Sequence, residues 1–213
     1  MKTVSLTIDG RAVEVAEGTT LFNAAKDIGA TIPTLCHDPA LRPVGVCRMC
    51  VVEVEGERAL AASCVREVQA GMVVSTHSDK LDRCRTGLTQ LLLAEQPETS
   101  AREVTTGDDA LVALARAQQL ERPEQTAPAP RPQDDSSHVI AVDHQACILC
   151  DRCIRACNEV QHNLVMGRTG KGHSTRIGFD FDQPMGESSC VSCGECVAAC
   201  PTGALTEKSF DLF

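Results

Sequence analysis

Twelve of the chain's 13 cysteines fall into three sets of four, and no other feature restricts the fold as strongly. The first set is spread out, as Cys36-x10-Cys47-x2-Cys50-x13-Cys64. The other two are tight and share one spacing, Cys147-x2-Cys150-x2-Cys153-x3-Cys157 and Cys190-x2-Cys193-x2-Cys196-x3-Cys200. Met1 is followed by no apolar leader, and no stretch is long enough to span a membrane. The expected setting is therefore a reducing cytoplasmic one, where thiolates spaced in this way read as metal ligands and not as disulfide partners. The 213 residues include no Trp, no Tyr and only five Phe. Aromatic side chains ordinarily supply much of a core's buried area, so centres anchored on the cysteines are expected to hold part of the fold together.

The formal net charge is -9, and the basic residues form neither a run nor an alternation with aromatics. That pattern disfavours nucleic acid and anionic membrane surfaces. It suits either plain solubility or attraction toward a basic docking face on a partner.

Residues Val4 to Val15 alternate apolar and polar around Asp9-Gly10, the dipeptide that a two-residue hairpin turn favours because both central residues need positive φ. Thr19 and Thr20 can cap a helix from about Leu21 to Ile28, with Gly29 as its stop. A β-branched run at Val51 to Val54 and a short strand at Met72 to Ser75 complete the pattern of a β-grasp over residues 1–78. Helical periodicity over Asp79 to Leu93 and Asp108 to Leu120 predicts a connector across 79–121. Four prolines between Arg122 and Ser137 read as a linker over 122–138, and a strand at Val139 to Val142 opens the final domain, 139–213. The fold class is thus α+β.

In the first set, one close pair and two distant single cysteines suit a loop wrapped around a 2Fe-2S rhombus better than zinc, which generally takes two close pairs. Gly45 stands where backbone must pass close to sulfur. The two tight sets are an internal duplication of the bacterial ferredoxin run, in which three cysteines hold one cubane and the fourth ligates the other. By that rule Cys147, Cys150, Cys153 and Cys200 bind one 4Fe-4S cluster, and Cys157, Cys190, Cys193 and Cys196 bind the second. Pro201 follows the second run, whereas Asn158 takes its place in the first.

Between the runs, Gly167, Gly170, Gly172 and Gly178 lie among Arg168, Lys171, His173 and Arg176. A hairpin over a cluster or partner and a phosphate loop are the alternatives, with the hairpin preferred. Cys84 is left over, either a buried or idle thiol, or a redox sensor or extra ligand. His37 is either an ordinary loop residue or a group that tunes the adjacent cluster. No paired carboxylates, Ser/His/Asp set or glycine fingerprint is present, so no substrate catalysis by this chain itself is expected.

Three segments carry a resemblance: Pro33-Thr34-Leu35-Cys36-His37, Gly45-Val46-Cys47-Arg48-Met49-Cys50, and Cys190-Val191-Ser192-Cys193-Gly194-Glu195-Cys196 followed by Cys200-Pro201-Thr202-Gly203. In these the chain resembles the iron-sulfur arm of the complex I large subunit, of NAD-linked formate dehydrogenase α subunits and of diaphorase-type hydrogenase subunits. The resemblance implies an electron relay between a flavin subunit that handles NAD(H) and a molybdopterin or NiFe catalytic subunit. A free-standing ferredoxin-like shuttle is the alternative. That family places a histidine and three cysteines for a further cluster right after the leucine-rich helix, but residues 94–102 here contain neither residue type. The expectation is one 2Fe-2S and two 4Fe-4S clusters, with 94–102 serving only to join two helices and with alanine at Glu95, Glu98 or Ser100 leaving electron transfer nearly unchanged.

Overall fold

The computed structural model describes residues 2–123 and 131–208. The chain divides into two compact units, Met1–His37 with Pro43–Leu88, and Asp38–Arg42 with Thr89–Phe213.

In the first unit, β1 (Thr3–Ile8) and β2 (Arg11–Ala16) form an antiparallel hairpin in which Ile8 pairs with Arg11. Its turn residues Asp9 and Gly10 have φ of 49° and 76°, the left-handed values that an Asp-Gly turn supplies at low cost. Helix α1 (Leu21–Asp27) is capped by Thr20, whose hydroxyl accepts from Asn23 N at 3.3 Å. The chain leaves α1 through Gly29 at φ 79°. Strands β3 (Val51–Val54), β4 (Ala61–Ala62) and β5 (Val73–Ser75) complete a mixed sheet of order β2-β1-β5-β3-β4, with β5 parallel to β1. The alternating strand residues Leu6, Ile8, Val13, Val15, Val52, Val54 and Val74 turn inward against Leu21, Ala24 and Ala25 of α1. Each buried aliphatic side chain of that size contributes on the order of 1.5–3 kcal/mol.

Helix α2 (Asp79–Glu95) begins on this unit, where Leu81 is fully buried and Arg85 Nη2 donates 2.8 Å to Val51 O.

The second unit continues with α3 (Ala101–Thr105) and α4 (Ala110–Ala117). Of the proline-rich stretch, residues 124–130 lie outside the described residues. The described remainder is anchored: β6 (Gln133–Asp134) pairs with β7 (Ile140–Asp143), which pairs with the final strand β10 (Leu205–Glu207). Between them lie α5 (Arg152–Arg155), the antiparallel hairpin β8 (Met166–Thr169) and β9 (Arg176–Phe179), and α6 (Glu195–Ala199).

The two cysteine runs differ at their ends. Pro201 disfavours helical geometry at the residue before it, and Cys200 is extended with ψ 124° just beyond α6. Asn158 imposes no such stop, so the first run continues as a π-helical turn over Ala156–Val160 that contains Cys157.

Candidate iron-sulfur sites

Cys36, Cys50 and Cys64 are buried and Cys47 is half-buried. Cys36 N and Cys47 N each lie 3.4 Å from the other residue's Sγ, and the sulfurs of Cys50 and Cys64 are 3.3 Å apart. The Cys36 thiol hydrogen-bonded to Cys47, with backbone N–H groups of Met49, Cys36 and Leu35, pulls Cys47 down to about 5; Cys36 itself is raised by that same bond and by burial. Cys64 hydrogen-bonded to Cys50 lowers Cys50 to about 7. The same bond, with burial, raises Cys64, so each pair has one lowered and one raised thiol. Gly45 lies within it at φ 63°, and a Cβ there would come 3.2 Å from Val65 Cγ2, beside Cys64. Ser63 Oγ donates 2.7 Å to Cys50 O and fixes the ligand-bearing turn. His37 packs edge-on against Phe22, ring centroids 4.6 Å apart. Cys84 is half-buried on α2, apart from these groups.

In the second unit, the eight cysteines of the two runs separate onto two cavities. One is lined by Cys147, Cys150, Cys153 and Cys200. The other is lined by Cys157, Cys190, Cys193 and Cys196. The last cysteine of each run thus faces the cavity of the other run.

The backbone supplies donors at both: Leu149 N lies 3.4 Å from Cys147 Sγ, and Ser192 N lies 3.4 Å from Cys190 Sγ. The turns that aim them use the left-handed conformation at Leu149, Asp151, Ser192 and Gly194. Such strain persists only where surrounding structure enforces it.

The donor chemistry fits a polynuclear iron-sulfur group. Burial, with the mutual repulsion of neighbouring thiolates, pushes Cys147 up to about 11, Cys150 and Cys196 to about 12, and raises Cys153 well above the ordinary thiol value. Iron would supply compensating positive charge, and binding would release the protons. Among the described residues, no three His, Cys, Asp or Glu side chains converge as a single metal ion requires.

The insertion between the runs is a hairpin and it lies over both cavities, with Ile177 lining the first and Met166 the second. Its Arg168 is committed to Asp151 at 2.7 and 2.8 Å and to Leu149 O at 2.7 Å, and Arg176 to Asp182 at 2.6 Å. Phosphate would have to displace these carboxylates.

Several residues at the first cavity carry no signature in the sequence. Arg102 Nη1 donates 2.6 Å to Cys200 O and 3.3 Å to Val197 O, while its other nitrogens hold Asp108. Arg131 Nη1 donates 3.2 Å to Cys147 O, and its Nη2 bonds Glu95 at 2.5 Å. Thr202 Oγ1 donates 2.8 Å to Ala146 O.

Residues 94–102 are therefore more than a joint between helices. Ser100 is buried, caps α3 and donates 2.6 Å to Asp109, which in turn caps α4. Glu95 and Ser100 both belong to the network that holds the chain around Cys147 and Cys200.

The sequence matches a family model described as a 2Fe-2S iron-sulfur cluster binding domain over residues 1–79, and one described as a 4Fe-4S dicluster domain over residues 146–204. It is 36% identical over 217 residues to the NADP-reducing hydrogenase subunit HndD of Solidesulfovibrio fructosivorans, covering 99% of this chain and 37% of that protein. It is 35% identical over 208 residues to an NADH-quinone oxidoreductase subunit of Rhizobium meliloti, covering 95% and 24%. The chain thus spans between about a quarter and just over a third of these curated relatives' length. Among solved structures, a chain in the crystal structure of NAD+-reducing NiFe hydrogenase in the H2-reduced state matches with a TM-score of 0.86 at 30% identity, covering 97% of this chain and 88% of that one. No helix among the described residues is long and apolar enough to cross a membrane.

Proposed function

This chain belongs to the family of iron-sulfur subunits shared by NAD(P)-linked hydrogenases and NADH-quinone oxidoreductases, and from that premise we propose that it relays electrons between an NAD(H)-flavin subunit and the active site of a partner subunit. A NiFe or molybdopterin catalytic subunit is the partner class that fits. The reading is an α+β chain with a β-grasp 2Fe-2S domain, a helical connector and a two-4Fe-4S domain. Cys36, Cys47, Cys50 and Cys64 hold the 2Fe-2S cluster. Cys147, Cys150, Cys153 and Cys200 hold one cubane, and Cys157, Cys190, Cys193 and Cys196 hold the other.

The observation that carries this reading is the sorting of eight cysteines, four to a cavity, with the fourth of each run crossing over. Each cluster, when bound, supplies a one-electron redox centre. The chain's part is to supply thiolates, to present backbone N–H groups to sulfur, and to exclude water with apolar lining such as Val142, Ile177 and Leu205 at the first cavity. Lowering the local dielectric in this way and fixing dipoles are the levers by which a protein sets cluster potentials.

Anaerobic purification tests the proposal. About 10 irons with 10 sulfides per chain are expected from one rhombus and two cubanes. Flavin-containing and catalytic subunits should copurify. Zinc without sulfide would overturn the cluster reading, and a fully loaded chain that always elutes alone would favour a shuttle over a relay subunit.

A further inference from the structure

The two four-cysteine cavities differ in their charged surroundings. At the first, two guanidinium groups just outside the cavity lining bond the backbone of the ligand cysteines, Arg131 at Cys147 O and Arg102 at Cys200 O, and Arg102 also reaches Val197 O, beside Cys196 of the second site. Both are turned inward relative to their ion-pair partners. The Arg131 side chain is 9% exposed and that of Glu95 42%, while the Arg102 side chain is 19% exposed and that of Asp108 55%. Each pair is thus an oriented dipole with its positive end toward the cysteines and its negative end toward water, where screening weakens it. Arg131 Nε is also a buried donor without an acceptor among the described residues.

The one carboxylate lining this cavity among the described residues, Asp151, is bridged by both reaching nitrogens of Arg168. The second cavity is lined, besides its cysteines, by apolar residues, a glycine and Asn163, whose amide lies 3.9 Å from Cys193 Sγ, and no charged side chain among the described residues lines it.

We propose that Arg102 and Arg131 raise the reduction potential of the cubane held by Cys147, Cys150, Cys153 and Cys200 above that of the cubane held by Cys157, Cys190, Cys193 and Cys196, so that an electron shared by the pair rests at the first site. Reduction adds one electron to a group that already carries thiolate charge, and a fixed positive charge nearby favours that added electron. Arg102 and Arg131 are positioning residues: they touch the ligands' carbonyls and not the reacting atoms. The segment from 94 to 102, which offers no metal ligand, supplies one arginine and the carboxylate that orients the other.

This inference rests on the proposed ligand sets, and redox titration of the full purified chain followed by electron paramagnetic resonance tests the two separately. Iron and sulfide too few for two cubanes in the unmodified protein would overturn the ligand sets. With both cubanes present, Cys193→Ser identifies the signal of the second site by altering it. The unaltered signal is expected to be the one with the higher potential; if it is the lower, the inference fails.

Arg131→Gln and Arg102→Gln are each expected to shift the reduced-to-oxidised ratio of the first cubane roughly tenfold toward oxidised, about 59 mV for one electron. Arg131→Lys keeps the charge and should restore most of the shift. Arg116→Gln, which removes the same charge from an exposed pair with Glu103, should change neither potential. Equal shifts of both cubanes, or no shift of the first in either glutamine variant, would overturn the proposal. The unmodified protein's ordering decides the matter even where a variant loses its cluster.

Discussion

Cys36 and Cys47 hold each other's sulfur with their own backbone, N–H to Sγ at 3.4 Å in both directions. Neither cysteine belongs to the second unit, so damage here should stay local. Cys47→Ser is expected to abolish the 2Fe-2S signal of the reduced protein, lower iron by about 2 per chain and leave both cubane signals in place. Survival of the 2Fe-2S signal with loss of a cubane would refute the grouping.

Cys200 sits at the end of one run but faces the cavity of the other. Cys200→Ser should therefore disturb the cubane of Cys147, Cys150 and Cys153, and not that of its sequence neighbours Cys190, Cys193 and Cys196. Paramagnetic resonance of Cys200→Ser beside Cys147→Ser distinguishes these outcomes: the two variants should lose the same signal.

Ser100→Ala removes the donor to Asp109 and the cap of α3 within a buried setting. The cost is on the order of 1–2 kcal/mol, or about 3–6 °C in the unfolding midpoint of the loaded protein. An unchanged midpoint would mean that residues 94–102 are the plain joint that their composition suggests. Gly203→Ala should be at least as damaging, since a Cβ there would stand 2.6 Å from Ser100 Oγ and 2.9 Å from Ala101 N.

His144 is buried, and burial lowers its pKa below the ordinary 6.5, with Arg176 and Arg131 adding to the effect and Asp134 and Asp143 opposing it. The folded state thus takes up the proton later than the unfolded chain does. As pH falls below about 6.5 the unfolded state binds more protons, so stability should decline through the window down to the depressed folded value. His144→Gln should flatten the pH dependence of the unfolding free energy between pH 7 and 5.5. A slope identical to that of the unmodified protein would assign the acid sensitivity to other groups.

Local chemistry explains what could be read in advance. The Asp9-Gly10 turn, the Thr20 cap and the spacing of the cysteines act over a few residues, so their signals lie side by side in the chain. The hairpin between the cysteine runs was legible because its glycines are local as well.

What escaped depends on distant partners. Arg102 is recognisable only beside Cys200, 98 positions away, and Arg131 only beside Glu95, 36 positions away. A guanidinium bonded to a main-chain carbonyl leaves no mark on the identity of the residue that accepts it. Strands β4 and β6 have two residues each, too few to establish a period of two. The π-helical turn at Cys157 follows from one missing proline, whose consequence is visible only when the two runs are compared in three dimensions.

Strand β10 closes the second unit by pairing with β7, joining Leu205 to Val142 across 63 positions of the chain. Synthesis proceeds in the opposite sense to this requirement. When Cys147, Cys150 and Cys153 leave the ribosome, the strand that completes their sheet and the Cys200 that faces their cavity have not yet been made. At translation rates of about 5–20 residues per second, the first run waits several seconds as an open set of thiols. Closure of this site therefore waits for Leu205, and a nascent chain stalled before that residue would hold its cysteines open to oxidation with no closed site to occupy.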